Sequence, residues 1–214
     1  MDIAVIDYKM SNVFSVKNAL NHLGFNGQIT SNSKTIMEAD GAVLPGVGSF
    51  PEAMQRLYDL RLIDVIKEYV SSGKPFMGIC LGLQLLFSRS DEFDECEGLN
   101  IIDGKVENFS KHHVTEPIPH VGWNTVVNYK HGDNNTIARS RRPRFYDHEY
   151  FYFVHSLFVE PDDRDCVFTE TCFANHRFCS SVLSDNIFAC QFHPEKSGKR
   201  GLDILNDFFK TGNS

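Results

Sequence analysis

Apolar positions along the first ninety residues alternate between the rhythm of buried strands and that of amphipathic helices. Residues 2–7 (DIAVID) form a short apolar run of strand length. Ser11-Asn12 offers a helix N-cap, and Val13, Val16, Leu20 and Leu23 recur near helical spacing until Gly24 ends the run. A second strand is predicted at 25–30 and a third at 41–44, the latter running into Pro45-Gly46-Val47-Gly48. Helical patterns cover 49–58 and 60–72 and stop at Gly73. Residues 75–79 form a further apolar strand, followed by Cys80 and a helical run over 81–88. Strands alternating with helices in this way predict a parallel α/β sheet with helices on both faces.

The second half changes rhythm. Short β-like runs at 106–109, 123–127, 150–154, 167–172, 178–183 and 187–190 are separated by polar turns. They predict an antiparallel extension of the same sheet, so residues 1–214 are expected to form a single domain. Residues 198–210 close the pattern as an amphipathic helix, with Leu202, Leu205, Phe208 and Phe209 on one face. No internal repeat or low-complexity linker is visible.

Composition narrows the function classes. With 42% hydrophobic and 12% aromatic residues among 214, the chain can bury one sizeable core. A net charge of -7 does not suit a nucleic-acid-binding surface. The only basic run, 139–144 (RSRRPR), reads as a solvated loop. No apolar stretch approaches membrane-spanning length, and the first residues lack the basic lead of a signal peptide, so a cytoplasmic location is expected. The six cysteines show neither C-x-x-C spacing nor a zinc-finger arrangement with histidine; free thiols and no metal are expected.

Three segments carry candidate chemistry. In Gly78-Ile79-Cys80-Leu81-Gly82 a cysteine sits between an apolar strand and a helix, with glycines two residues to either side. That pattern fits a strained strand–turn–helix elbow that exposes a nucleophile at the sheet edge. The positive end of the following helix is expected to favour thiolate over thiol, and the amide of Leu81 to face an oxyanion. On this pattern alone, a small buried packing cysteine is the alternative. Gln191-Phe192-His193-Pro194-Glu195 follows an apolar run, which places His193 at a strand end with a carboxylate two residues on. Taken alone, it reads better as a surface turn. Gly46, Val47 and Gly48 end the third strand and can turn backbone amides into a cleft, or form an ordinary turn. Neither a P-loop nor a G-x-G-x-x-G fingerprint is present.

In this order, PGVGSF, GICLGLQLLF and QFHPEKS resemble the triad-type, class I glutamine amidotransferases. The stretches DIAVIDYKMSN, GLNIIDGKVENF, PHVGWN and YFVHS are similar to one subgroup, the glutaminase subunits of imidazole glycerol phosphate synthases in histidine biosynthesis. The resemblance implies a three-layer, flavodoxin-like α/β fold, largely parallel, with antiparallel strands in the C-terminal half. It implies that Cys80 attacks the carboxamide of L-glutamine, His193 shuttles the proton and Glu195 orients His193. Gly46, Val47, Gly48 and Leu81 would form the oxyanion hole. Gln84, Glu92, His155 and Ser156 would bind the substrate, the last two through the strand backbone.

No cofactor is implied. The expected partner is a (β/α)8-barrel cyclase that consumes the ammonia. Pro119, His120, Gly122, Trp123 and Asn124 are candidate interface residues, or a packed strand edge. The sequence departs from the subgroup at Leu157, where tyrosine is common, at Asn108, where arginine is common, and at 171–178, where a Tyr-Gly turn is expected. These departures keep open a paralogous glutaminase serving another synthase, such as one making amidinated surface sugars. A catalytically silent scaffold subunit and a cysteine peptidase with the same elbow are the remaining alternatives.

Overall fold

The computed structural model describes residues 1–129 and 142–210. Strands β1 (Asp2–Ile6), β2 (Asn26–Thr30), β3 (Gly41–Gly46) and β4 (Phe76–Cys80) are joined through helices α1 (Val13–His22), α2 (Ser33–Glu38), α3 (Phe50–Asp59) and α4 (Leu62–Ser71). After β4 come α5 (Leu81–Leu85), β5 (Phe87–Ser90), β6 (Cys96–Glu97), β7 (Ile102–Asn108), β8 (His120–Asn128), β9 (Glu149–His155), β10 (Leu157–Pro161), β11 (Val167–Phe173), β12 (His176–Ser184), β13 (Ile187–Cys190) and α6 (Gly198–Phe209).

The sheet runs β2-β1-β3-β4-β13-β12-β10-β7-β5-β6, and β11 carries β8 and β9 off β12. From β2 through β13 every pairing is parallel, and β12 begins the antiparallel half. The period of two along each strand divides the core between the faces. Ile3, Val5, Val43, Met77 and Phe188 point to the side covered by α1 and α6. Ala4, Ile6, Leu44, Phe76 and Ala189 point to the side covered by α2 to α5. The result is three layers, with the mixed sheet in the middle, as the sequence pattern predicts.

Several boundaries differ from the sequence reading. The helix expected over 81–88 stops at Leu85, and Phe87 starts β5 beside Ile102. Residues 81–87 are all buried, so no polar face marks where the helix ends. Helix α2 has one buried side chain, Ile36, and is too short to show a period. On α6 the buried apolar residues are Ile204, Leu205, Phe208 and Phe209, while Leu202 is only half-buried. Of the basic run, 139–141 lie outside the described residues. Arg144 pairs with Asp207 at 3.2 Å, and the guanidinium of Arg142 lies 4.9 Å from the ring centre of Phe168. Among the described residues no helix is long and apolar enough to cross a membrane, and no group of three or more His, Cys, Asp or Glu could hold a metal ion.

Candidate active site

Three neighbouring strands, β3, β4 and β13, deliver the three sequence segments to one edge of the sheet. Their registers pair Gly46 with Cys80 and Ile79 with Cys190. The loop after β3, the cysteine ending β4 and the histidine just past β13 therefore meet at the carboxyl ends of parallel strands, where α/β sheets place their clefts.

Cys80 has φ +56° and ψ -113°, a conformation that an L-residue adopts only when its surroundings force it. The surroundings are steric. A Cβ on Gly82 would lie 1.8 Å from the Leu44 carbonyl oxygen, and one on Gly78 would lie 2.9 Å from that of Gly82. The two glycines let α5 fold back against β3 and β4, and the sulfur is pushed to the rim. Cys80 Sγ donates to the Val154 carbonyl at 3.9 Å and accepts from Gln191 Nε2 at 3.6 Å. Helix α5 is a single short turn of five residues, so its field at the sulfur is smaller than an eight-residue helix would provide. Leu81 opens that helix, where the amide has no intrahelical acceptor.

His193 and Glu195 are buried, and His193 Nδ1 donates to Glu195 Oε1 at 2.8 Å. The segment is clamped from two sides. The His193 amide donates to the Tyr152 carbonyl at 2.9 Å, and Ser197 Oγ donates to the His193 carbonyl at 2.6 Å. Burial disfavours the imidazolium, but attraction to Cys80 and the bond to Glu195 outweigh it and raise the His193 pKa to about 10. His193 Nε2 is buried without a hydrogen-bond partner. Glu195 Oε2 is likewise buried without a partner.

A cavity of about 180 Å³ lies beside the sulfur. Val47, Gly48, Cys80, Leu81, Gln84, His155 and Ser156 line it, together with Val154 and Leu157. Two expected residues, Gly46 and Glu92, stand apart from it. Gly46 lies behind the wall, where a Cβ would come within 2.2 Å of the Tyr8 hydroxyl. Glu92 accepts from the Phe50 amide at 2.6 Å and so caps α3. Val47 lines the cavity, but its amide donates to the Met10 carbonyl at 2.9 Å.

Gln84 is buried, and its Nε2 reaches the Leu157 carbonyl at 3.2 Å and Gln191 Oε1 at 3.0 Å. Sequence reasoning missed Gln191, although it sits two residues before His193 and is wholly buried. It also missed Tyr8, whose hydroxyl is buried without a partner and whose pKa burial and the nearby Cys80 push up.

On β8 the alternation splits the proposed interface. Pro119 and Trp123 are exposed, Gly122 and Asn124 half-buried, and His120 is buried under the hairpin. The departures are accommodated. Asn108 caps a short turn by accepting from the Ser110 amide, and 171–178 closes as the β11–β12 hairpin with Ala174 at φ +54°.

The profile of the family described as glutamine amidotransferase class-I matches residues 4–211. The chain belongs to that family. Among class I amidotransferase relatives, the imidazole glycerol phosphate synthase subunit HisH of Aquifex aeolicus is 44% identical over 209 residues, covering 97% of this chain and 96% of that protein. The HisH subunit of Sulfurimonas denitrificans is 43% identical over 213 residues, covering 99% of each. A glutamine amidotransferase crystal structure superposes with a TM-score of 0.70 at 14% identity, over 95% of this chain and 96% of that one. The PurLQS structure from Thermotoga maritima gives 0.69 at 18% identity, over 97% and 96%. These likenesses match the class I amidotransferase fold expected from the sequence.

Proposed function

We propose that this class I amidotransferase is the glutaminase subunit of an imidazole glycerol phosphate synthase, acting in the cytoplasm on L-glutamine. The observation that carries the reading is Cys80, held at φ +56° at the end of β4, beside a buried His193–Glu195 pair. In this mechanism Cys80 Sγ attacks the carboxamide carbon, and the electron pair moves to the oxygen. His193, as imidazolium, gives its proton to the leaving nitrogen, the C–N bond breaks, and ammonia departs from a thioester. His193 then takes a proton from water as water attacks the thioester, and glutamate leaves with the thiolate restored. Glu195 holds the imidazole by its Nδ1–H and stabilises the imidazolium.

The cavity walls supply the remaining roles. The Leu81 amide serves the oxyanion. Gly48 is the member of the 46–48 loop best placed to add a donor, because the Val47 amide is engaged by Met10. Residues 154–157 and Gln84 hold the amino-acid end of the substrate, whereas Glu92, whose Oε2 is engaged by the Phe50 amide, does not line the cavity. Ammonia must reach its acceptor unprotonated, which calls for a dry contact with a second protein. The exposed apolar side chains Val121, Trp123, Tyr150 and Val154 lie on one face of the β8–β9 pair, and Val154 also lines the cavity, which supports placing that contact there. The partner proposed there is a (β/α)8-barrel cyclase. The reading predicts that a diazoketone analogue of glutamine labels Cys80 stoichiometrically and that the chain restores growth of a histidine auxotroph lacking this subunit. Labelling without complementation would leave a glutaminase serving another synthase; absence of labelling in the presence of the cyclase would overturn the glutaminase reading.

A further inference from the structure

His120 and His155 lie face to edge beneath the hairpin, enclosed by phenylalanines. The His120 ring stacks on Phe173 at 4.4 Å and on Phe153 at 4.9 Å. His155 packs against Phe109 at 5.4 Å and Phe178 at 5.2 Å. An aliphatic or aromatic side chain would fill such a cage at no electrostatic cost, so two imidazoles here call for a polar reason.

The hydrogen bonds give one, because they admit a single arrangement of protons. His155 Nδ1 lies 2.6 Å from the Leu157 carbonyl, which can only accept, so Nδ1 carries the proton. Burial holds His155 well below an ordinary histidine, to about 3, so the ring is neutral at pH 7 and its Nε2 is an acceptor. His120 Nδ1, at 2.9 Å, must therefore donate to it. Burial also lowers His120, to about 4, which leaves its Nε2 to accept from Asn124 Nδ2 at 3.1 Å. Asn124 also donates to the Cys172 carbonyl at 2.9 Å and accepts from the Thr125 amide at 2.7 Å, which fixes the orientation of its amide group.

At the other end the Leu157 carbonyl also accepts from Gln84, Gln84 donates to Gln191, and Gln191 donates to the sulfur of Cys80. An unbroken series of hydrogen bonds thus joins Asn124 on β8 to the nucleophile.

We infer that His120 and His155 are positioning residues: a neutral imidazole pair, locked in its tautomers, that sets the Leu157 carbonyl and through it Gln84 and Gln191 around Cys80. The pair ties the seat of the β8–β9 hairpin to the wall of the glutamine cavity. This rests on the proposed reading of the cavity as the glutamine site.

The test uses the wild-type chain labelled with 15N-histidine and the same chain alkylated at Cys80 by the diazoketone analogue. Of the nine imidazoles, two are expected as neutral Nδ1–H tautomers from pH 5.5 to 8, and both signals shift on alkylation. Finding either ring as the Nε2–H tautomer, or charged at pH 7, overturns the inference, as does the absence of any shift in a fully alkylated sample. Kinetics of the complex with the cyclase supply the second arm. His155→Leu is expected to lower kcat/KM for glutamine about 10- to 100-fold, and His155→Asn, whose amide can still donate to Leu157, to recover most of it. A folded His155→Leu variant at the wild-type rate overturns the proposal. Failure of the glutaminase reading itself shows separately, as a wild-type complex with no activity, while the tautomers remain decisive for the lock.

Discussion

At the scale of single residues the chemistry depends on opposite treatment of histidines within one buried region. His193 has a carboxylate and a sulfur beside it and is raised to about 10, whereas His155 has only carbonyl and imidazole partners and is lowered to about 3. Because His193 keeps its proton past neutrality, the alkaline limb of kcat/KM is expected well above pH 8; a limb near the ordinary histidine value of about 6.5 would contradict the pairing. Replacing the proposed proton carrier, as in His193→Asn, is expected to reduce kcat by about 10³-fold or more and also to lower the melting temperature near neutral pH, because the buried pairing with Glu195 is lost. His155 acts on stability in the acid range. Its folded pKa lies below the unfolded value, so above about pH 6.5 neither state is charged and nothing is lost. As pH falls from there toward 3, the unfolded chain takes up a proton that the folded ring refuses, and stability declines. At pH 5 the loss is about 2 kcal/mol, and urea melts of wild type and His155→Asn at pH 5 and 7.5 should differ by that amount in their pH dependence.

At the scale of elements the decisive unit is the turn from β4 into α5. The backbone at Cys80 is strained, so Cys80→Gly should be more stable than Cys80→Ala by about 1 kcal/mol despite its greater chain entropy, a difference readable by chemical denaturation. Equal stability of the two variants would remove the evidence for strain. Gly82→Ala places a methyl against the Leu44 carbonyl and should cost more than about 3 kcal/mol or prevent folding. The elbow was legible in the sequence because its glycines have no other use between two apolar runs. The β3 and β13 ends were legible for the same reason, as apolar runs stopped by polar or glycine-rich chemistry. The end of α5 and the start of β5 were not, since every residue from 81 to 87 is buried and the pattern has no polar phase. Nor could sequence show that the Val47 amide and Glu92 are engaged elsewhere, because their partners, Met10 and Phe50, lie far away in the chain and carry no distinguishing motif.

At the scale of the whole molecule, sheet order converts separate segments into a site. Only because β13 returns to lie beside β4 does His193 approach a cysteine more than a hundred positions earlier in the chain. The antiparallel half then adds the β8–β9 hairpin, whose buried side holds the imidazole pair and whose exposed side carries Trp123. That tryptophan is the only one in the chain, so its emission reports on this face alone. Adding the cyclase is expected to shift it to the blue, and Trp123→Ala to weaken binding by about 2 kcal/mol; unchanged emission in a formed complex would place the interface elsewhere. The most direct measurement is glutamate release from L-glutamine by wild type and Cys80→Ala, each with and without the proposed cyclase. Wild type should turn over and be strongly stimulated by the cyclase, with Cys80→Ala inactive throughout. Glutamate release by Cys80→Ala at the wild-type rate, or none from the complete wild-type complex, would contradict a glutaminase built on this sulfur.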